Sequence, residues 1–281
     1  MKRLIAVLLA LALALCPSLV SCGEDEAPVP AFSVPEGIED ARDAMKVVVH
    51  AAGRLRGIDE SGVERDYDGS NSLEGLIRCA EAGARAVELD FNFTSDGKLA
   101  CIHDWHPEYA AELEPGAAPT LDDFLTYRIY GQFTPLWIET VAAWLRENPG
   151  VWVVTDIKDR NIEGCRAIAE ACPDLKDRFL VQIYREEEYA PIRELGFDYI
   201  VFTLYMLDWN SKTDWKSLGE FAGTHPLVGF TFSYELCSVD GYVEGMLSTG
   251  VPLYVHTINE NFEEWYEKGF RGVYADVLPE S

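Results

Sequence analysis

A parallel (β/α)₈ barrel, the TIM-type fold, is the architecture this sequence predicts, and three observations predict it. From residue 46 onward, eight short strand-like runs alternate with amphipathic helical segments. The stretch they occupy is close to the ~250 residues such barrels use. The competing doubly wound sheet lacks its glycine-rich Gly-x-Gly-x-x-Gly turn, which occurs nowhere in the chain.

The elements follow in order. Val47-Val48-Val49 is a β-branched run ending in His50. Residues 72–82 place Leu73, Leu76, Ile77 and Ala80 at i, i+3, i+4 and i+7, one face of a helix. Asn71 or Ser70 would cap its start, and Gly83 would stop it. Residues 85–91 and 99–103 are strand-like, and 137–147 form a helix closed by Asn148-Pro149-Gly150. Strands at 151–157, 179–184, 198–204, 227–232 and 252–257 then alternate with helices at 162–171, 187–195, 215–221, 242–247 and 262–268. The barrel is slightly irregular between its second and third strands. Asp90 and His103 are too close in sequence for a crossover helix. Thr94-Ser95-Asp96-Gly97 is a turn signal, so the chain doubles back and returns His103 towards Asp90. Residues 105–134 are weakly patterned and read as an excursion over one barrel mouth, as lids and binding loops are.

The segment before the barrel differs in composition. Lys2 and Arg3 precede an apolar run over residues 4–15, too short to span a bilayer but suited to an export signal. It ends in Leu19-Val20-Ser21-Cys22, which resembles the lipobox of bacterial lipoproteins. That resemblance implies cleavage before Cys22, lipidation of Cys22, and a protein exported to the bacterial cell envelope and held at a membrane by its acyl chains. Residues 1–21 are thus read as a lipoprotein signal peptide, 22–43 as an acidic tether, and 44–281 as the barrel domain. With Cys16 leaving in the signal and Cys22 lipidated, five of the seven cysteines stay in the domain. They form no close Cys-x-x-Cys pair, which argues against zinc. Cys79, Cys101 and Cys165 sit in apolar contexts as small core residues.

Composition narrows the partners. With 48% hydrophobic and 25% charged residues the chain is ordinary for a globular protein. Its net charge of −25 leaves no basic stripe for nucleic-acid phosphates. Nothing in the sequence reads out an oligomeric state.

Catalytic groups of such barrels project from the C-terminal ends of the strands. His50 ends the first run, Glu88 and Asp90 the second, and His103-Asp104 the third. Asp156 and Lys158 end the fourth and His256 the eighth, with Gln182 and Tyr205 as less decisive ends between them. Any one pair could be a structural ion pair, Asp156 with Lys158 or Glu88 and Asp90 with Arg85. Their concentration at strand ends points to a site instead. Glu88, Asp90 and Asp156 on one interior repel unless a cation sits among them, and hard carboxylate oxygens suit Mg²⁺ or Ca²⁺. Two imidazoles can exchange protons near neutrality, and Lys158 offers a fixed charge to a phosphoryl oxygen. Those are the parts phosphodiester cleavage needs.

On these residues the sequence resembles the glycerophosphodiester phosphodiesterases. The resemblance runs through Val49-His50-Ala51-Ala52-Gly53, Asn71-Ser72-Leu73-Glu74, Val87-Glu88-Leu89-Asp90, Thr94-Ser95-Asp96-Gly97 and Ile102-His103-Asp104. It continues through Asp156-Ile157-Lys158 and Thr257-Ile258-Asn259 to the closing segment at residues 272–279. It implies a TIM barrel with a bound Mg²⁺ or Ca²⁺ held by Glu88, Asp90 and Asp156. It makes His50 and His103 the acid/base pair and Lys158 a phosphate contact. The substrate would be a small or lipid-derived phosphodiester, cleaved through a cyclic phosphate that water then opens. Two departures stand out. Ala51 replaces the arginine that usually follows the first histidine, and Gly69-Ser70 replaces a usual Pro-Glu. Arg54 or Arg56 is a candidate for the missing charge. Trp105 either stacks on substrate or packs beneath the lid, and His256 either lines the site or is structural. Tyr205, Trp209 and Trp215 form either an apolar wall or ordinary packing. The missing arginine and the Asp-x-Lys pair also resemble the sphingomyelinase D enzymes, which cyclise their substrate. A cyclising enzyme is therefore one alternative function, and a non-catalytic lipoprotein that binds a phosphorylated ligand is another.

Overall fold

The computed structural model describes residues 32–277. The signal segment, Cys22 and the beginning of the tether lie outside the described residues. Eight parallel strands make the barrel: β1 Val47–Val49, β2 Ala86–Phe93, β3 Trp152–Asp156, β4 Phe179–Ile183, β5 Tyr199–Thr203, β6 Gly229–Ser233, β7 Leu253–His256 and β8 Gly272–Ala275. Each pairs with the next, and β8 returns to β1 in the register Val47↔Val273 to close the ring.

The expected number of strands is right, but one member differs. Residues 99–103 were expected as the third barrel strand. Leu99–Cys101 instead folds back antiparallel on the outer half of β2, with Phe91 opposite Cys101, and Leu136–Trp137 adds antiparallel beyond it. The Ile102 N–H donates to the Asp90 carbonyl at 3.1 Å. The hairpin thus leaves the barrel wall while bringing His103 beside Asp90. The true last strand is β8, and His256 therefore ends the seventh. Four residues opening on glycine carry too little alternation to signal a strand. That glycine is needed, because a Cβ on Gly272 would lie 2.2 Å from the Met45 carbonyl oxygen.

The boundary of the tether also shifts. Residues 32–43 were read as part of it, yet Ile38–Ala44 is a helix with Ile38, Ala41 and Ala44 buried. Ile38, Ala41 and Met45 pack with Val48, Ala86, Val154, Leu180, Val201, Tyr254 and Tyr274. These are the inward-facing residues at the lower level of the barrel, so the helix closes its floor with apolar contacts. Strand side chains alternate. Two positions further along, the same interior therefore receives Glu88, Asp156, Gln182 and His256. Period two alone lifts the polar set to the mouth above a dry floor.

Two excursions leave the barrel near its first two strands. An antiparallel hairpin, Leu55–Ile58 with Glu64–Tyr67, follows β1. The expected lid over residues 105–134 has its own small core of Trp105, Leu113, Leu121, Phe124, Ile129 and Phe133. All five cysteines among the described residues are free, and four of them are buried.

Candidate active site

The site begins with a backbone turn. Directly after His50, Ala51 and Ala52 take φ of 46° and 61°, a region that side chains beyond glycine rarely enter. The turn is held by its hydrogen bonds. The Ala51 N–H donates to Glu88 Oε2 at 2.6 Å, and the Asn71 N–H donates to the Ala51 carbonyl at 3.1 Å. Ala51 is buried, and its methyl lies 3.6 Å from where a Cβ on Gly69 would stand. The two departures from the resembled family therefore touch each other. A side chain at 69 would rest against the Ala51 methyl at ordinary contact distance.

His50 is oriented from the far end of the chain. Its Nδ1 bonds Asp276 Oδ1 at 2.9 Å. Asn259 donates from Nδ2 to Asp276 Oδ2 at 2.6 Å and accepts the Asp276 N–H at 2.7 Å. Burial alone pulls the His50 imidazole down. The bond to Asp276 and the charges of Glu88, Asp90 and Asp276 outweigh it and raise the ring to about 9. Burial pushes the Asp276 carboxyl up, but its bonds to His50 and Asn259 hold it below its ordinary value.

His103 is arranged in the same way. Its Nδ1 bonds Asp104, and its Nε2 lies 2.6 Å from Lys158 Nζ. An ammonium only donates, so Nε2 accepts and the ring proton sits on Nδ1 against Asp104. Both histidines thus have a carboxylate behind Nδ1.

Between them lie three carboxylates. Oxygens of Glu88, Asp90 and Asp156 lie within 4.8 Å of one another. Asn71 donates to Asp90 Oδ2 at 2.9 Å and accepts the Asp90 N–H at 3.0 Å, clamping that residue from both sides. Lys158 Nζ is 3.3 Å from Asp90 Oδ1 and 3.5 Å from Asp156 Oδ2. Tyr205 donates to Asp156 Oδ1 at 2.8 Å, and Tyr184 donates to the same oxygen. Burial, then the Asp90 charge, pushes Glu88 well above the carboxylate range, and the same two causes raise Asp156. Burial pulls the Lys158 ammonium down, but the charges of Asp156, Asp90 and Glu88 outweigh it. One ammonium among three carboxylates leaves a deficit of positive charge that a divalent ion fits, and all the donors are hard oxygens.

A cavity of about 400 Å³ opens over this cluster, lined by His50, Glu88, His103, Asp156, Lys158, Gln182, Tyr205 and His256 among others. His256 therefore faces the site. Burial, then the His50 charge, depresses its ring to about 3, so it is neutral, and its Nε2 is buried without a partner. Arg54 is placed elsewhere. It makes a two-pronged pair with Asp68, at 2.6 and 3.1 Å, and does not line the cavity. Arg56 lies on the outer hairpin near Glu64 and Asp66. Trp105 packs edge-on against Phe124 under the lid instead of lining the cavity.

Four contributors escaped the sequence reading as site residues. Asn71 was expected as a helix cap, but Ser72 caps the helix at Leu73–Glu81 and frees the Asn71 side chain for Asp90. Asp276 and Asn259 stood inside segments already quoted, but Asp276 follows an uncounted strand and Asn259 lies in the loop three residues past His256. Tyr184 ended a strand with no charge to mark it.

Residues 56–158 match the family model described as the glycerophosphoryl diester phosphodiesterase family, which bears out the resemblance read from the sequence. That segment contains Asn71, Glu88, Asp90, His103, Asp156 and Lys158. No curated protein matches the chain. Among solved structures, a glycerophosphodiester phosphodiesterase from Thermotoga maritima is 18% identical, covering 83% of this chain and 94% of its own, with a TM-score of 0.60. A putative glycerophosphoryl diester phosphodiesterase from Silicibacter pomeroyi is 15% identical over 83% of this chain and 90% of its own, with a TM-score of 0.62. An Oleispira antarctica phosphodiesterase, solved with the product sn-glycerol-3-phosphate, is 16% identical over 82% and 92%, with a TM-score of 0.61. At these identities the likeness establishes the (β/α)₈ barrel.

Proposed function

We propose that this barrel is a divalent-metal-dependent phosphodiesterase that hydrolyses glycerophosphodiesters to an alcohol and a phosphomonoester. One observation carries the reading. Two histidines, each with a carboxylate on Nδ1, flank three clustered carboxylates and a lysine in one cavity. A binding module has no need of the paired imidazoles. The phosphate-containing product held by the Oleispira antarctica relative agrees with a small phosphodiester ligand.

The residues divide the work as follows. Glu88, Asp90 and Asp156 would hold Mg²⁺ or Ca²⁺, which when bound supplies charge for a phosphoryl oxygen and acidifies a hydroxyl. Lys158 moves from His103 to a phosphoryl oxygen when substrate enters. That frees His103 Nε2, which takes the proton of the attacking substrate hydroxyl. His50, held protonated by Asp276, gives a proton to the leaving alcohol as its P–O bond breaks. In the second half the roles reverse. The first half leaves a cyclic phosphate; His50 Nε2 then takes a proton from water as the water oxygen bonds phosphorus, the P–O bond to the substrate's own attacking oxygen breaks, and His103 returns a proton to that oxygen. Such acid/base pairs contribute about 10²–10⁴-fold each.

The setting of the reaction rests on the amino-terminal motif. Lipidation at Cys22 would place the enzyme in the cell envelope, where lipid-derived diesters are at hand. Phosphorus NMR of the purified protein with glycerophosphocholine, with Mg²⁺, with Ca²⁺ or with a chelator, tests the activity. Metal-dependent release of a phosphomonoester is expected, with turnover lost by about 10²–10⁴-fold in His50→Ala and His103→Ala. Full turnover in the chelated sample would overturn the metal reading. A cyclic phosphate that persists would replace hydrolysis with cyclisation, the outcome that Ala51 in the arginine position favours.

A further inference from the structure

The three clustered carboxylates are not held alike. A carboxylate oxygen has two lone pairs in reach of donors or a cation. Glu88 spends one of them on Oε2, for the Ala51 N–H, and Asp90 spends one on Oδ2, for Asn71. Asp156 spends both on Oδ1. Tyr184 and Tyr205 donate to that one atom, so it has nothing left to offer a cation.

The two phenols are fixed from behind. Tyr184 is fully buried, and its oxygen also accepts the Ile157 N–H at 2.8 Å. That bond ties the ring to the same strand end that carries Asp156 and Lys158. Tyr205 stands edge-on to Tyr184, with ring centroids 5.7 Å apart, and reaches Asp156 from the cavity side. A phenol is protonated near neutrality and donates through its O–H, so each is a donor to the carboxylate.

We propose that Tyr184 and Tyr205 are positioning residues which saturate Asp156 Oδ1 and leave Oδ2 as the single oxygen that Asp156 can present to a bound cation. The proposal rests on the metal reading above. Its consequence is selectivity. Calcium takes six to eight oxygens and welcomes a two-oxygen carboxylate, whereas magnesium keeps octahedral geometry, single oxygens and several waters. A saturated Oδ1 removes the two-oxygen mode at Asp156 and tilts the site away from calcium. The tilt comes from neutral hydroxyls that carry no charge of their own.

Isothermal titration of the metal-free protein with MgCl₂ and with CaCl₂ tests this, alongside the Tyr205→Phe and Tyr184→Phe variants. Tyr205→Phe removes one hydroxyl that faces the cavity, and its folding is read by the melting temperature; Tyr184→Phe also leaves the Ile157 N–H unpaired and serves as the second case. Partners that orient metal ligands typically govern affinity by about 10–100-fold. Tyr205→Phe should therefore weaken Mg²⁺ by about tenfold while Ca²⁺ holds or tightens, so the ratio of the two dissociation constants moves towards calcium. A merely structural tyrosine would lower the melting temperature and leave that ratio alone. An unchanged ratio in a folded Tyr205→Phe protein overturns the proposal and leaves the phosphodiesterase reading intact. A wild-type protein that binds neither ion overturns both.

Discussion

At the scale of single residues, the site is a set of charges whose partners decide what they do. His50 is the clearest case. Its ordinary value is 6.5, and the fold raises it to about 9, so it is charged at neutral pH and suited to protonate a leaving alcohol. Stability from this group is complete below its ordinary value and is lost as pH rises through about 9. Activity that needs the protonated ring should fall over the same range. Asp276→Asn removes the carboxylate behind the ring. The alkaline limb of kcat/KM should then move towards neutrality, with metal affinity held, as a pH–rate profile paired with Mg²⁺ titration would read. A limb that stays in place would show that another group sets it. Eight charged or imidazole groups were legible from the sequence because predicted strand ends and charge coincide in them. Asp276 was not, since it lies just beyond a four-residue strand that periodicity does not reveal. Asn71 was hidden by its own suitability as a helix cap, a role that Ser72 takes instead.

At the scale of elements, the turn after β1 is the part that sets this chain apart. Ala51 sits at positive φ with its methyl against Gly69, and both stand where the resembled family carries large charged or rigid residues. Restoring the family residue alone should therefore fail. Ala51→Arg places a long cation in a filled, strained position and should cost about 1–3 kcal/mol in urea unfolding, as overpacking does. It should bring no gain in substrate affinity. Improved KM in that variant would mean that the turn opens towards the cavity. The hairpin between Asp90 and His103 has the opposite lesson. Its turn tetrapeptide and short spacing made the doubling back legible, while its place outside the barrel wall was not. Strand character at residues 99–101 is real, and only the pairing partner decides which sheet it joins.

At the scale of the whole molecule, the barrel divides into an apolar floor and a charged mouth. The eightfold alternation was legible because buried parallel strands read as hydrophobic runs. The floor-closing helix at Ile38–Ala44 was not, since seven residues among acidic neighbours resemble a tether. The charged mouth has a cost that the fold carries when metal is absent. Glu88 and Asp156 are both raised, Glu88 well above the carboxylate range. Groups raised in this direction favour the fold below their ordinary values, and that contribution is lost as pH climbs through the raised ones. The metal-free protein should thus lose stability as pH rises above the ordinary carboxylate range, and Mg²⁺ should restore it by binding the folded state alone. Differential scanning calorimetry with and without chelator reads this as a melting-point gap that widens with pH. A gap independent of pH would place the bound ion away from these carboxylates.

The bond between His50 and Asp276 joins residues 226 positions apart, across the seam between the first strand and the last. While the chain is still being synthesised, the carboxylates and lysine already exist but His50 has no counter-ion. The proposed acid/base pair is then complete only in a finished ring, and a protease cut ahead of residue 276 would remove the carboxylate behind His50 while leaving Glu88, Asp90, Asp156 and Lys158 in the chain. The seam works as a safety catch, released by the last turn of folding.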